Sequence, residues 1–123
     1  MFWRKALTYK EAIVAGLVIL YASLIREPHV HLPQVAFIDK WSHLAAYAVL
    51  GGVLTWDLIR DKRTVLWVWI LGLSLPIIYG GLIEIIQGAF FAPRTAEWLD
   101  WLADIAGTII GTDIVAWIWQ ARN

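Results

Sequence analysis

Apolar residues in this chain are gathered into four long runs with short polar connections between them. The runs cover residues 6–25, 41–59, 65–92 and 98–119. A helix that crosses a bilayer needs roughly 20 mostly apolar residues, and the last three runs come close to or exceed that length. The first run reaches it only if Tyr9 and Lys10 lie at the interface, with Lys10 extending its ammonium to water. The pattern therefore predicts four transmembrane helices, the third tilted or kinked at Pro76.

The first run has a second interpretation as a signal peptide, because Arg4 and Lys5 form a basic stretch in front of it. Leu24 stands where a small residue would close a cleavage site, which favours a retained helix.

Tryptophan positions support the four predicted helices. All nine lie near an end of a run: Trp3, Trp41, Trp56, Trp67, Trp69, Trp98, Trp101, Trp117 and Trp119. An indole ring belongs at the interface of water and lipid, whereas a soluble core would not sort its tryptophans in this way. The chain is 60% hydrophobic and 16% charged, against roughly 45–50% and 25% in soluble domains. We expect one all-α, polytopic membrane domain spanning residues 1–123.

Basic residues predict the orientation of the helices. Seven fall on one side of the predicted membrane: Arg4, Lys5, Lys10, Arg60, Lys62, Arg63 and Arg122. Three fall on the other: Arg26, Lys40 and Arg94. Because cytoplasmic loops carry the excess of Lys and Arg, both termini are predicted to be cytoplasmic. Balanced charge, with ten basic and ten acidic residues, argues against a nucleic-acid partner. The absence of cysteine excludes disulfides, iron–sulfur clusters and thiolate chemistry.

Polar residues interrupt three of the apolar runs at the same predicted depth, toward the outer side. The second helix begins with Asp39 and Lys40, followed on one stripe by His43 and Tyr47. The remaining positions lie on the third helix, in the following connection and on the fourth helix: Glu84, Gln87, Arg94, Asp100 and Asp104. Charges this deep favour a bundle interior over lipid, where exposure costs roughly 2.5–3.5 kcal/mol or more.

Small residues on the fourth helix predict how the polar stripes meet. Ala103, Gly107 and Gly111 form a small-xxx-small row that allows close approach of a neighbouring helix. That approach would bring Asp104 within reach of Lys40, His43 or Glu84. Each polar residue also has a packing or capping interpretation, such as Asp39 and Asp100 as helix N-caps.

These residues, in this order, resemble the VanZ-like family. The resemblance lies in IDKWSHLAAYAVLGG, in YGGLIEIIQ and in R-x5-D-x3-D-x2-G-x3-G from Arg94 to Gly111. Asp104 departs from it, since many members carry Asn there. The resemblance implies a small multi-pass protein of the bacterial inner membrane, related to the cell envelope. The founding member is associated with teicoplanin resistance. An acyltransferase label carried by some members is discounted, because nothing here suggests a coenzyme A site.

Three functions are compatible with the pattern. The first is a binding protein whose outward pocket takes an anionic lipid or a lipid-linked cell-wall precursor on Lys40, His43 and Arg94. The second is an intramembrane enzyme acting on such a lipid, with His43, Glu84 and Asp104 as candidate catalytic residues. A metal-dependent version would add Asp100 as a ligand, but neither a metal nor another cofactor is expected. The third is a small proton-coupled transporter. A homo-oligomer is left open.

Overall fold

The computed structural model describes residues 2–25, 38–90 and 98–122, and every regular element within these ranges is an α-helix. The five helices are α1 (Phe2–Thr8), α2 (Lys10–Ile25), α3 (Ile38–Arg60), α4 (Val65–Phe90) and α5 (Trp98–Arg122). The first apolar run thus contains two helices instead of one. Their junction at Tyr9 is slight, because Tyr9 N still donates to Lys5 O and Ile13 N to Tyr9 O. Compared with the predicted runs, α3 begins three residues earlier and α5 ends three residues later.

Three of the helices are long and apolar enough to cross a membrane. The candidate spans are Lys40–Arg60, Val65–Phe90 and Trp98–Arg122. The 16 described residues of α2 extend about 24 Å at 1.5 Å each, less than the roughly 30 Å of a hydrocarbon core. The chain is therefore a helical membrane protein with at least three candidate spans in the part that the structure describes.

The bundle carries its apolar side chains outside and many of its polar ones inside. All five helices expose large apolar side chains, among them Trp41 and Ile85, each more than 60% exposed. The buried polar side chains of the described residues are Thr55, Asp57, Glu84, Gln87, Asp100, Asp104, Thr108 and Thr112. A water-soluble monomer rarely exposes so continuous an apolar surface. This distribution is the one a lipid solvent favours.

Two glycines bring α3 and α5 into backbone contact. A Cβ at Gly107 would overlap the carbonyl oxygen of Leu44, and a Cβ at Gly111 would overlap that of Ala48. The predicted small-residue row therefore packs α5 directly on α3, as expected where helices associate without a hydrophobic driving force.

Pro76 lies inside α4, and α5 supplies the hydrogen bond that this proline removes. Proline has no N–H, so the carbonyl of Gly72, four residues earlier, loses its helical donor. Thr112 Oγ1 donates to that oxygen at 3.1 Å. Both Pro76 and Thr112 are fully buried, where an unpaired carbonyl would be costly. The helix continues through Pro76.

A charged network at the opposite end of the bundle from Lys40 fastens α1 and α2 to α3. Asp57 Oδ2 accepts from Ala12 N in the first turn of α2, while Arg60 contacts Asp57 and Glu11. Asp61 accepts from Lys5, Tyr9 and Arg63, and these bonds, led by that from Lys5, lower its pKa to about 2. The contacts of Asp57 with Ala12 N and Arg60 give this aspartate a role in packing α2 against α3.

The turn after α3 is a Schellman-type cap. Arg63 N donates to Leu58 O and Lys62 N donates to Ile59 O, while Lys62 adopts a left-handed φ of 61°. The two bonds satisfy carbonyls that the end of α3 leaves open.

Candidate functional site

Five polar side chains from three helices meet at one end of the bundle. We call this group the polar cluster: Lys40 and His43 of α3, Glu84 of α4, and Asp100 and Asp104 of α5. Its acids are almost fully enclosed, since Glu84 is 5% exposed, Asp100 7% and Asp104 1%. The contact of Asp104 with His43 confirms the sequence prediction that Asp104 comes within reach of α3.

His43 joins the two aspartates of α5. Its Nδ1 lies 2.7 Å from Asp104 Oδ1, a hydrogen-bond distance, and its Nε2 lies 3.7 Å from Asp100 Oδ2. Asp100 and Asp104 are one helical turn apart and present their carboxylates on the same face. A carboxylate on Nδ1 fixes the orientation of the ring and directs Nε2 toward Asp100.

Lys40 lies at the more accessible edge of the polar cluster. Its Nζ is 2.9 Å from Asp100 Oδ1, which is an ion-pair distance. The lysine side chain is 24% exposed and the aspartate 10%. Because part of the Lys40 side chain is open, an anion that enters the site is able to contact its ammonium.

A glycine of α4, Gly80, allows α4 and α5 to approach closely beneath the polar cluster. A Cβ at Gly80 would lie 2.6 Å from Asp104 Oδ2, so any side chain there would displace this carboxylate. Glu84 follows Gly80 by one turn on the same face of α4. His43, Glu84 and Asp104 consequently offer one nitrogen and two carboxylate oxygens that all lie within 4.8 Å of one another.

The remaining predicted residues stand in different relations to the polar cluster. Tyr47 follows His43 by one turn and is 2% exposed, within the interior. Gln87 contacts a different helix. Its Nε2 donates to Ser23 O at 2.7 Å, and this hydrogen bond connects α4 to α2. Asp39 lies in the first turn of α3, but its side chain lies outside the described residues, and so does Arg94.

Sequence reasoning missed a line of buried hydroxyls below the polar cluster. Thr108 donates from Oγ1 to Asp104 O at 2.7 Å, and Thr112 donates to Gly72 O. Thr55, Thr108 and Thr112 are all 0% exposed. The spacing of Asp104, Thr108 and Thr112 at successive i+4 steps was the available signal, since it places the three on one face.

The polar cluster combines acid–base groups with an excess of negative charge. Three carboxylates and one ammonium give these described side chains a formal charge of −2 when His43 is neutral. Such a site attracts a cation, accepts hydrogen bonds from hydroxyl or amine groups, and exchanges protons through His43.

Comparison of the chain with protein-family models, with curated protein sequences and with solved structures gives no match.

Proposed function

We propose that this protein binds the head group of an anionic lipid, or of a lipid-linked envelope precursor, in the polar cluster. One observation carries the proposal: charged side chains from three helices converge inside a bundle whose outer surface is apolar. A head group carried on a lipid tail reaches such a site from the membrane itself. Water-soluble substrates would lack this route.

Lys40 is the residue that receives the phosphate of the head group. It is the more exposed member of its ion pair with Asp100. An ammonium serves as a point charge for phosphate. Arg94, predicted from the sequence to act beside it, would add a bidentate contact. Asp100, Asp104 and Glu84 then accept hydrogen bonds from sugar hydroxyls or amines of the same head group.

The setting of this site is part of the proposal. The chain is a VanZ-like protein of the bacterial inner membrane with four transmembrane helices and both termini in the cytoplasm. The order of the motifs from Asp39 to Gly111 supports the family, and the basic residues support the orientation. The continuous hydrogen bonding across Tyr9 supports a fourth span, because α1 and α2 together are longer than α2 alone.

Native mass spectrometry of the detergent-purified protein tests the proposal. The probes are a polyprenyl phosphate, phosphatidylglycerol and phosphatidylethanolamine, each added at equal concentration. We expect retention of the polyprenyl phosphate or phosphatidylglycerol by the wild type, and at least a fivefold loss in Lys40→Gln. Lys62→Gln, which changes an exposed lysine in the turn after α3, is the matched control. Equal retention by both variants, or no preference among the lipids, would contradict the proposal.

A second candidate, hydrolysis of a lipid-linked substrate, is favoured by the hydrogen bond between His43 and Asp104. An aspartate on one ring nitrogen allows the other nitrogen to act as general base toward water. Incubation with lipid-linked precursors and mass spectrometry of the products would reveal this activity. Product formed by the wild type and not by His43→Gln would establish it.

A third candidate, proton-coupled transport, is favoured by the buried hydroxyls of α3 and α5. They continue from Asp104 toward Asp57 at the other end of the bundle. Proton flux into liposomes that contain the protein would distinguish this candidate from a binding protein.

A further inference from the structure

We infer that the polar cluster is a binding site for a divalent transition-metal cation, ligated by His43, Glu84 and Asp104. The inference rests on the proposed function, in which this cluster is a ligand site, and it names a second component of that site. It also revises the sequence expectation that no metal is involved. Lys40 and Asp100 border the proposed metal site and do not ligate the ion.

The separations between the three donor groups suit a single ion. Each residue offers one ligand atom within 4.8 Å of the others. Metal–ligand bonds of roughly 2.0–2.2 Å place neighbouring ligand atoms about 3 Å apart around an octahedral ion and about 3.4 Å apart around a tetrahedral one. His43 Nδ1 and Asp104 Oδ1, hydrogen-bonded at 2.7 Å, would separate by a few tenths of an ångström when an ion replaces the shared proton. Small side-chain rotations of Glu84 would complete the set.

Rigid packing supports the three donors. They project from three different helices, and glycines allow close approach at two of the helix contacts. Gly80 brings the backbone of α4 against Asp104, and Gly107 brings α5 against Leu44, one residue from His43. Ligands fixed on packed helices are positioned more exactly than ligands on loops.

The charge of the polar cluster matches a divalent cation. With His43 neutral, as a metal ligand must be, the described side chains carry a formal charge of −2. An ion of charge +2 cancels it. Lys40 lies on Asp100, whereas the described partner of the Asp104 carboxylate is the imidazole of His43. The ammonium is therefore placed at the border of the proposed metal site and not within it.

The mixture of nitrogen and oxygen donors indicates which metals fit. Mg²⁺ and Ca²⁺ prefer sites built from oxygen alone, while imidazole suits zinc and its neighbours and carboxylates suit manganese. One imidazole with two carboxylates therefore points to Zn²⁺ or Mn²⁺. Three protein ligands leave a coordination position open. A second oxygen of the phosphate that Lys40 receives in the proposed function would occupy it.

Calorimetric titration with metal alone tests the inference. The full-length protein is purified in detergent, stripped with a chelator and titrated separately with Zn²⁺, Mn²⁺, Mg²⁺ and Ca²⁺. We expect one Zn²⁺ or Mn²⁺ per chain and at least tenfold weaker binding of Mg²⁺ and Ca²⁺. Glu84→Gln and Asp104→Asn should each weaken Zn²⁺ or Mn²⁺ binding at least tenfold. Asp113→Asn is the matched control, since it removes an exposed aspartate of α5 away from the polar cluster.

Pulsed electron paramagnetic resonance of bound Mn²⁺ provides a test that needs no variant. Coupling of the ion to an imidazole nitrogen is expected in the wild type. Absence of binding, bound Mn²⁺ without nitrogen coupling, or unchanged affinity in both folded variants would overturn the inference. No lipid is present in these experiments, so the metal site and the lipid site succeed or fail separately. Lipid retention that depends on Lys40 in a protein that binds no metal would leave the proposed function standing and remove the metal.

Discussion

At the scale of single residues, the contact between Thr112 and Gly72 shows how this bundle accommodates a proline. Thr112→Val removes the hydroxyl that serves the carbonyl left open by Pro76. Because that carbonyl then lies buried without a donor, we expect the free energy of unfolding in detergent to fall by about 1–3 kcal/mol.

Adding Pro76→Ala provides the internal control for this prediction. Alanine supplies an N–H to Gly72 O, so the double variant should be less destabilised than the sum of the two single changes. Thr108→Val should have a smaller effect, since its hydroxyl bonds Asp104 O, a carbonyl within the continuous part of α5. Simple additivity of Thr112→Val and Pro76→Ala would show that the Thr112 hydroxyl does not replace the donor that Pro76 removes.

Asp61 gives the charged network a defined pH dependence. Hydrogen bonds, led by that from Lys5, hold its pKa at about 2, below the ordinary value of 3.8. A lowered carboxyl pKa contributes stability that is fully present above about pH 5 and is lost as the pH falls through the folded pKa of about 2. The stability difference between wild type and Asp61→Asn should therefore be largest near pH 6 and be mostly lost below pH 2. Lys5→Gln should reduce this pH dependence, and a difference that grows on acidification would contradict the assignment.

At the scale of helices, the contact between α3 and α5 determines whether the polar cluster forms. Gly111→Ala places a methyl group on the carbonyl oxygen of Ala48, where neither backbone is able to move independently. We expect loss of the monodisperse folded protein, or destabilisation of about 3 kcal/mol, at the upper end for overpacking. Gly52→Ala is the matched control on the same interface, because its Cβ would meet Val115 at an ordinary 3.4 Å. Equal behaviour of the two variants would argue against the glycine contact.

The positions of the helices were largely predictable from the sequence, whereas the hydrogen-bond partners of individual side chains were not. Periodic polar positions and the glycine row predicted the approach of Asp104 to α3, because both follow from helical spacing. The contact of Gln87 with Ser23 was not predictable, since it depends on how α2 leans against α4. The break at Tyr9 was also missed, because the apolar run continues through it.

At the scale of the whole molecule, the chain lacks cysteine and is therefore suited to labelling of single introduced cysteines. The exposed positions Trp3, Trp41, Lys62 and Trp98 mark the helix ends. With a membrane-impermeant maleimide on intact cells, the proposed topology predicts labelling at positions 41 and 98. Positions 3 and 62 should react only after permeabilisation. Identical behaviour of positions 3 and 41 would remove the fourth span, and the reverse pattern would invert the orientation.

The central claim is that the acids of the polar cluster serve a ligand and not the packing of the bundle. Buried charges retained for function are usually neutral or unfavourable for stability, whereas removal of one partner of a structural ion pair costs about 3–5 kcal/mol. Substitution of Glu84, which is buried near His43 and Asp104, distinguishes the two roles. The most direct measurement is the free energy of unfolding of Glu84→Gln in detergent, without lipid or metal. We expect a value equal to or above that of the wild type, whereas a loss of about 3 kcal/mol or more would show that Glu84 serves the packing of the bundle.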